Sequence, residues 1–188
     1  MNDPNVNFYG RVAFDGVTYC PFQADATFQR FKAESDPWTA LPVECLWVLY
    51  TMGRQSLNVP GDFWECGVDR GGSARLLANI VRGSGKRLHL FDTFSGMPAA
   101  DPSIDYHSDG DFPGVPLEFV RSMVGDEGEV EIHAGLIPDT FEEMADAQIA
   151  FAHVDVDLYE STKRCCEFIY PRLSRGGVMV IDDYGRPT

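Results

Sequence analysis

The feature that most constrains the fold of this chain is the sequence DFWECGVDRGGS at residues 62–73. Its apolar first half predicts a short buried strand that ends near Gly67, and Ser73–Val81 has the apolar spacing of a helix. A strand, a glycine-rich turn and a helix in this order can hold a ligand, because glycine lets the ligand approach the backbone closely. Glu65, at the strand end, is an acid that accepts hydrogen bonds from hydroxyl or ammonium groups.

Four more short apolar segments follow, and helical patterns separate most of them. We expect strands at Arg87–Asp92, Val130–Ala134, Ile149–Asp155 and Gly177–Asp182, and helices at Pro116–Val124, Asp139–Ala147 and Ser161–Leu173. Strands that alternate with helices pair in parallel through right-handed crossovers. The sequence therefore predicts a doubly wound, mostly parallel α/β sheet.

Residues 1–59 are expected to form an N-terminal arm and a helical cap. The alternating pattern before about residue 25 predicts a small hairpin or an ordered arm. The run Leu41–Met52 predicts a helical segment that Gly53 and Asn58–Pro60 end before the first buried strand. Residues 60–188 form the α/β core, and a chain of 188 residues is long enough for one domain overall.

The charge of the chain limits its partners. A formal net charge of −14 argues against nucleic acid or an anionic membrane, because both favour basic surfaces. The sequence begins without a basic and apolar leader and has no apolar stretch of membrane-spanning length, so we expect a cytoplasmic protein. The five cysteines are odd in number and lack Cys-x-x-Cys spacing, which favours reduced thiols over a zinc site.

Acidic residues stand at the ends of four predicted strands. They are Glu65, Asp92, Asp155 with Asp157, and Asp182 with Asp183. Open α/β sheets bind ligands at the edge where the carboxyl ends of their strands meet. Because burying neighbouring carboxylates without partners is costly, a cation or a hydroxyl-rich ligand is expected among them.

The first two strand ends suit a nucleoside. Asp92 follows the glycine turn by roughly 20 residues, the spacing at which an acid binds a ribose diol. A dinucleotide fingerprint needs a second glycine where this chain has Asp69, whose charge opposes a pyrophosphate. A cationic adenosyl ligand such as S-adenosylmethionine fits better, although Glu65 alone is also explained as a cap on the next helix. The expected cofactor-binding residues are Glu65, Gly67, Gly71, Ser73, Asp92 and Thr93.

The last two strand ends suit a divalent ion. Asp155, Asp182 and Asp183 offer hard oxygen ligands of the kind that Mg²⁺ prefers, and like charges at neighbouring strand ends would repel without a metal. The alternative is that Asp182 or Asp183 caps a following segment and that Asp157 is solvated.

Residues 97–116 form an unusual connection with four prolines and four aspartates. A long insertion inside a domain is typical of a lid or a binding loop, or else is disordered. His107 within it is a candidate base for an acceptor hydroxyl, or an exposed polar residue. His153 is expected to be a core histidine, and no role is assigned to His89 or His133, which lie in strand patterns.

From about Pro60 to Tyr184 the chain resembles the macrocin O-methyltransferase family, the S-adenosylmethionine-dependent sugar O-methyltransferases of antibiotic biosynthesis. The matching motifs are Gly61–Gly72, Leu90–Pro98, His153–Thr162, Tyr170–Gly177 and Val180–Gly185. Five blocks in the same order are far more specific than any one of them.

The resemblance implies a Rossmann-like class I methyltransferase fold that uses S-adenosylmethionine and a divalent metal, usually Mg²⁺. By position, Glu65 and Gly67 line the methionine part of the cofactor, Asp92 takes the ribose hydroxyls, and Asp155, Asp182 and Asp183 match the metal triad. The family's acceptors chelate this ion through adjacent sugar hydroxyls. Asp155 is then expected to help take the proton from the hydroxyl that is methylated.

The family pattern continues into another helix and two antiparallel strands, whereas this sequence stops at Thr188. We therefore expect a core that lacks these elements, and by analogy a homo-oligomer. The predicted function is O-methylation of a hydroxyl on a sugar or small secondary metabolite. The alternative is a non-catalytic S-adenosylmethionine-binding or assembly protein with the same fold, and a nucleotide-sugar or NAD enzyme is disfavoured by Asp69.

Overall fold

The computed structural model describes residues 20–108, 111–125, 128–182 and 184. Its strands are β1 (Asp62–Cys66), β2 (Leu88–Asp92), β3 (Val130–Ala134), β4 (Ile149–Val154) and β5 (Leu173–Ile181). Its α-helices are α1 (Ala26–Ser35), α2 (Val43–Ser56), α3 (Gly72–Val81), α4 (Leu117–Val124) and α5 (Tyr159–Ile169). Short 3₁₀ turns lie at Pro21–Gln23, Asp36–Trp38, Asp139–Met144 and Tyr170–Arg172. No helix in this part of the chain combines the length and apolar character needed to cross a membrane.

The strands form one parallel sheet in the order β3-β2-β1-β4-β5. The chain adds β2 and β3 on one side of β1 and then returns to add β4 and β5 on the other. The strand order therefore reverses between β1 and β4, which is where open α/β sheets form a ligand crevice. The predicted doubly wound parallel sheet is confirmed.

Apolar side chains cover both faces of the sheet. Successive residues of a strand point to opposite faces, so Phe63 belongs to one buried cluster and Trp64 to the other. Leu46 and Leu49 of α2 lie in the same cluster as Phe63, so the N-terminal helices share the core of β1 and α3. Burial on both faces explains why the strands appear in the sequence as continuous apolar runs.

Several element boundaries differ from those predicted. Helix α2 continues through Gly53, and this glycine packs closely against α3 and β1: a Cβ atom there would lie 3.2 Å from Ile80 Cδ1 and 3.5 Å from Phe63 Cε2. The helix expected at Asp139–Ala147 is instead the 3₁₀ turn, whose only buried residue is Phe141. Strand β5 begins at Leu173 rather than at Gly177, and it pairs with β4 through a register irregularity. The arm or hairpin predicted before residue 25 falls largely outside the described residues.

Gly67 follows β1 at a point of close backbone approach. Its φ of +87° is one that glycine adopts readily, and a Cβ atom there would overlap the carbonyl oxygen of Asp155. The Gly67 N–H donates to the carbonyl of Phe91 at 2.9 Å, and the Asp155 N–H donates to the carbonyl of Cys66 at 2.9 Å. These two hydrogen bonds extend the pairing of β1 with β2 and of β1 with β4 by one residue, and they hold the ends of the three strands together.

We predict that Gly67→Ala destabilises the protein more than Gly83→Ala does. Gly83 also has a positive φ, of +69°, but no atom lies within 4 Å of a Cβ built there. The control therefore measures only the backbone strain, about 1–2 kcal/mol. Gly67→Ala adds the overlap with Asp155 and should lose about 1–3 kcal/mol more in urea-induced unfolding. Equal losses in the two variants would contradict the close approach.

Candidate functional site

A pocket of about 260 Å³ opens at the carboxyl edge of the sheet. Residues at the ends of four strands line it, namely Gly67, Asp92, Asp155 and Asp182. Its walls come from Trp38–Pro42, from the connection after β2 and from the turn after β3. The structure thus brings together side chains that are far apart in the sequence, at the edge where the sequence predicted a site.

The lining of the pocket is strongly acidic. It includes Asp69, Asp92, Asp155, Asp157 and Asp182, and its described residues include neither lysine nor arginine. Such a lining attracts cations and repels phosphate groups. The electrostatics therefore favour a cationic ligand over a pyrophosphate-bearing dinucleotide.

Asp92 ties the end of β2 to the glycine turn. Its Oδ2 accepts hydrogen bonds from the N–H groups of Val68 at 2.6 Å and Asp69 at 3.2 Å, and its Oδ1 accepts from Phe94 N–H at 2.8 Å. Each carboxylate oxygen has two lone pairs, so these three bonds leave one lone pair, on Oδ1, for a ligand hydroxyl. Thr93 also lines the pocket, and its hydroxyl donates to the carbonyl of Gly96 at 2.7 Å, which shapes the turn after β2.

The two glycines at the start of α3 allow close packing around that end of the helix. Gly71, with a φ of +86°, is its N-cap, and a Cβ atom there would lie 3.5 Å from Val120 Cγ1. A Cβ atom on Gly72 would lie 2.6 Å from the backbone nitrogen of Thr39, so this glycine admits the segment that forms one pocket wall. Ser73 lines the pocket, as predicted for a cofactor site, whereas Gly71 lies outside the lining.

Glu65 is fully buried outside the pocket lining, where it pairs with His153. Its Oε1 lies 2.9 Å from His153 Nδ1. Burial alone would lower the pKa of His153, but the hydrogen bond and the charge of Glu65 outweigh it and raise that pKa above its ordinary value of 6.5. Glu65 Oε2 and His153 Nε2 have no hydrogen-bond partner among the described residues.

Asp155 and Asp182 stand side by side at the ends of β4 and β5. They directly follow Val154 and Ile181, which are partners in the strand register, and the Asp182 N–H donates to the carbonyl of Val154 at 3.0 Å. The predicted third metal ligand, Asp183, lies outside the described residues. Within the described part of the chain, a cluster of three potential metal-ligating side chains occurs elsewhere, at His89, Glu131 and His133.

His107 lies beside the pocket rather than in its lining. Its Nε2 is 3.5 Å from Asp157 Oδ1 and its Nδ1 is 3.5 Å from Asp111 Oδ2, so it can act on the pocket through Asp157. The connection that carries it is anchored, because Asp105 Oδ1 accepts from the N–H of Tyr159 at the start of α5 at 2.9 Å. Parts of this connection also line the pocket, as a binding loop would.

Sequence reasoning missed the apolar walls of the pocket. These are contributed by Trp38, Leu41, Phe112, Leu136 and Ile137, among others. None lies in a polar motif, and their proximity depends on tertiary packing. The one local signal was Gly72, whose missing side chain makes room for Thr39.

Comparison with known families gives a match over most of the chain. The protein family described as Macrocin-O-methyltransferase (TylF) matches residues 52–188 of this chain. The chain is 37% identical over 141 residues to 8-demethyl-8-(2,3-dimethoxy-alpha-L-rhamnosyl)-tetracenomycin-C 4'-O-methyltransferase of Streptomyces olivaceus. It is 33% identical over 141 residues to demethyldecarbamoylnovobiocin O-methyltransferase of Streptomyces niveus. Each match covers 68% of this chain and 54% of the relative, so the chain spans about half the length of these relatives.

Solved structures resemble this fold. The O-methyltransferase NovP superposes with a TM-score of 0.69 at 29% identity, covering 79% of this chain and 68% of that chain. The calicheamicin methyltransferase CalS11 superposes with a TM-score of 0.64 at 24% identity, covering 92% and 84%. The predicted Rossmann-like class I methyltransferase fold is confirmed by this agreement and by the strand order.

The pairing of Glu65 with His153 predicts a pH-dependent stability. A pKa raised in the folded state gives stabilisation that is complete below the unfolded value of about 6.5 and is lost as the pH rises through the folded value. We expect Glu65→Gln to reduce the unfolding free energy at about pH 6, and we expect its difference from wild type to shrink or reverse as the pH rises through the raised pKa of His153. Urea unfolding at several pH values measures this, with the exposed Glu118→Gln as control. A difference independent of pH would contradict the charged pair.

Proposed function

This chain belongs to the macrocin-O-methyltransferase family, and from that premise we propose that it is an S-adenosylmethionine-dependent O-methyltransferase. Its proposed acceptor is a hydroxyl of a sugar or of a small secondary metabolite. The observation that carries this proposal is the acidic pocket at the strand-order reversal, where Asp92 stands at one strand end and Asp155 and Asp182 stand at two others.

The cofactor is proposed to lie along the ends of β1 and β2. Asp92 Oδ1 offers its remaining lone pair to a ribose hydroxyl, while Gly67 and Ser73 border the same pocket and leave room beside the backbone. The surrounding aspartates complement the sulfonium and ammonium charges of S-adenosylmethionine. Glu65 lies outside the lining and its charge is offset by His153, so its contact with the methionine end, which the family resemblance implies, stays a prediction.

A divalent cation, with Mg²⁺ as the first candidate, is proposed to bind at the ends of β4 and β5. Asp155 and Asp182 fit such an ion because both carboxylates are hard oxygen ligands that border the same pocket. Asp183 follows Asp182 directly and would complete the predicted triad. When bound, the cation lowers the pKa of a coordinated acceptor hydroxyl.

The residues of the chain then bring two reactants together and accept a proton. In the reaction, the acceptor oxygen forms a bond to the methyl carbon as the sulfur–methyl bond breaks, and the sulfur leaves as a neutral thioether. The hydroxyl proton passes to a carboxylate, for which we propose Asp155. His107, held 3.5 Å from Asp157, is the second candidate for proton transfer. Holding the reactants in line can account for about 7–11 kcal/mol of the barrier.

The identity of the acceptor is proposed from two sources. The names of the relatives describe O-methylation of a rhamnosyl-tetracenomycin and of a demethyldecarbamoylnovobiocin, which favours an acceptor in antibiotic biosynthesis. The apolar wall residues Trp38, Leu41 and Phe112 suit the aromatic or aliphatic part of such a molecule. Self-association and a cytoplasmic location remain predictions.

We predict that S-adenosylmethionine and S-adenosylhomocysteine both bind, and that Asp92→Asn weakens both. Loss of charge-assisted hydrogen bonds to the ribose should cost about 1.5–3 kcal/mol, or roughly 10–100-fold in affinity. Isothermal titration calorimetry measures this, and Asp146→Asn, which changes an exposed acid outside the pocket lining, is the control. The cofactor assignment would be refuted if neither S-adenosylmethionine nor S-adenosylhomocysteine bound to the wild-type chain.

A second prediction concerns the metal. Methyl transfer to glycosylated antibiotics that lack a sugar methyl group should stop in EDTA and return with Mg²⁺. Asp182→Asn should lower kcat by about 100-fold or more while changing S-adenosylhomocysteine affinity by less than about 2-fold. Asp139→Asn, an exposed acid outside the pocket lining, is the matched control. Full activity in EDTA would exclude metal assistance, and cofactor binding without turnover on any acceptor would favour the non-catalytic alternative.

A further inference from the structure

Three potential metal ligands lie together on one face of the sheet, away from the pocket. His89 of β2 is the register partner of Glu131 of β3, and His133 follows Glu131 by two residues. Residues two apart on a strand point to the same face, so Glu131 and His133 both face His89 across the strand pair. None of the three lines the pocket described above.

Two distances within this cluster, both from the ring nitrogen of His89 that hydrogen-bonds to His133, are close to those between ligand atoms of one tetrahedral ion. His89 Nδ1 lies 3.0 Å from His133 Nε2 and 3.4 Å from Glu131 Oε2. Two nitrogens bound to the same Zn²⁺ ion at the usual Zn–N bond length are about 3.3 Å apart in tetrahedral geometry. One ligand atom from each of the three side chains lies within 4.8 Å of the other two.

Neighbouring charged groups orient the side chains of this cluster. Arg87 pairs with Glu131 Oε1 and leaves Oε2 facing His89. On the other side of the His89 ring, Nε2 lies 3.8 Å from Asp62 Oδ2, and ligating histidines commonly direct the second ring nitrogen to a carboxylate.

We propose that His89, Glu131 and His133 form a binding site for Zn²⁺ or a similar transition-metal ion. Two imidazoles and one carboxylate favour such an ion over Mg²⁺, which prefers oxygen ligands. His89 is buried, whereas the Glu131 side chain is 37% exposed, so the ion can enter from the edge of the sheet and keep a water as its fourth ligand. This site is separate in position and in chemistry from the proposed magnesium site.

A bound ion would link two strands. In the described sheet β3 stands at one edge and pairs with β2 alone. An ion held by both strands would stabilise this edge, because a ligand that binds only the folded state raises its stability. The role inferred is therefore structural, and it does not depend on methyl transfer.

The test is calorimetric titration of the 188-residue chain with Zn²⁺ in excess Mg²⁺, which occupies oxygen-ligand sites. The wild-type chain should bind one equivalent of Zn²⁺, and His133→Ala should abolish this binding, whereas His107→Ala, which removes a histidine elsewhere, should retain it. Asp62→Asn removes the carboxylate charge beside His89 Nε2 but keeps an oxygen that accepts from the backbone N–H of Arg87. This variant should therefore weaken Zn²⁺ binding by about 10–100-fold. The site is refuted if wild type binds no Zn²⁺ or if His133→Ala binds it equally well.

Two further measurements separate ligand loss from misfolding. Circular dichroism and thermal unfolding without metal should show His133→Ala and Glu131→Gln folded, because both positions are only partly buried. Zn²⁺ should raise the Tm of wild type but not that of either variant, and Co²⁺ in the wild-type site should give the intense visible absorption of a four-coordinate ion. A Tm rise of equal size in the variants, or the weak absorption of six-coordinate Co²⁺, would overturn the proposal.

Discussion

The close approach of Gly67 to the backbone of Asp155 is the constraint on which the rest of the site depends. With no side chain at this position, the end of β1 can sit between the ends of β2 and β4, where it bonds to Phe91 and, through Cys66, to Asp155. The same contact brings Asp92 and Asp155 to opposite sides of one pocket. A larger residue would separate the two halves of the sheet at the point where the strand order reverses.

Electrostatics explain why so many acids can share this edge. The three backbone N–H groups around Asp92 offset part of its desolvation, and His153 does the same for the buried Glu65. Asp155 and Asp182 border a pocket whose described lining supplies no positive side chain. A cationic methyl donor and a divalent ion would neutralise this edge, which links the stability of the pocket to the function proposed for it.

The sequence predicted the parts of this molecule that depend on local pattern. Apolar runs located all five strands, and the acids Asp92, Asp155 and Asp182 were found by their positions at strand ends. Features that depend on tertiary contact were not predictable. Helix α2 continues through Gly53, where it packs against α3 and β1. Glu65 pairs with the buried His153 and does not line the pocket, and His89 contacts His133 only through the pairing of β2 with β3. Polar partners from distant strands leave no trace in the spacing of one sequence.

The most direct test of the central claim is a crystal structure of the chain with S-adenosylhomocysteine and Mg²⁺. We predict that the ribose hydroxyls contact the Asp92 carboxylate, that the thioether sulfur points toward the ends of β4 and β5, and that Mg²⁺ lies between Asp155 and Asp182. Nucleoside density away from the glycine turn, or carboxylates of Asp155 and Asp182 that diverge with no ion between them, would contradict the account.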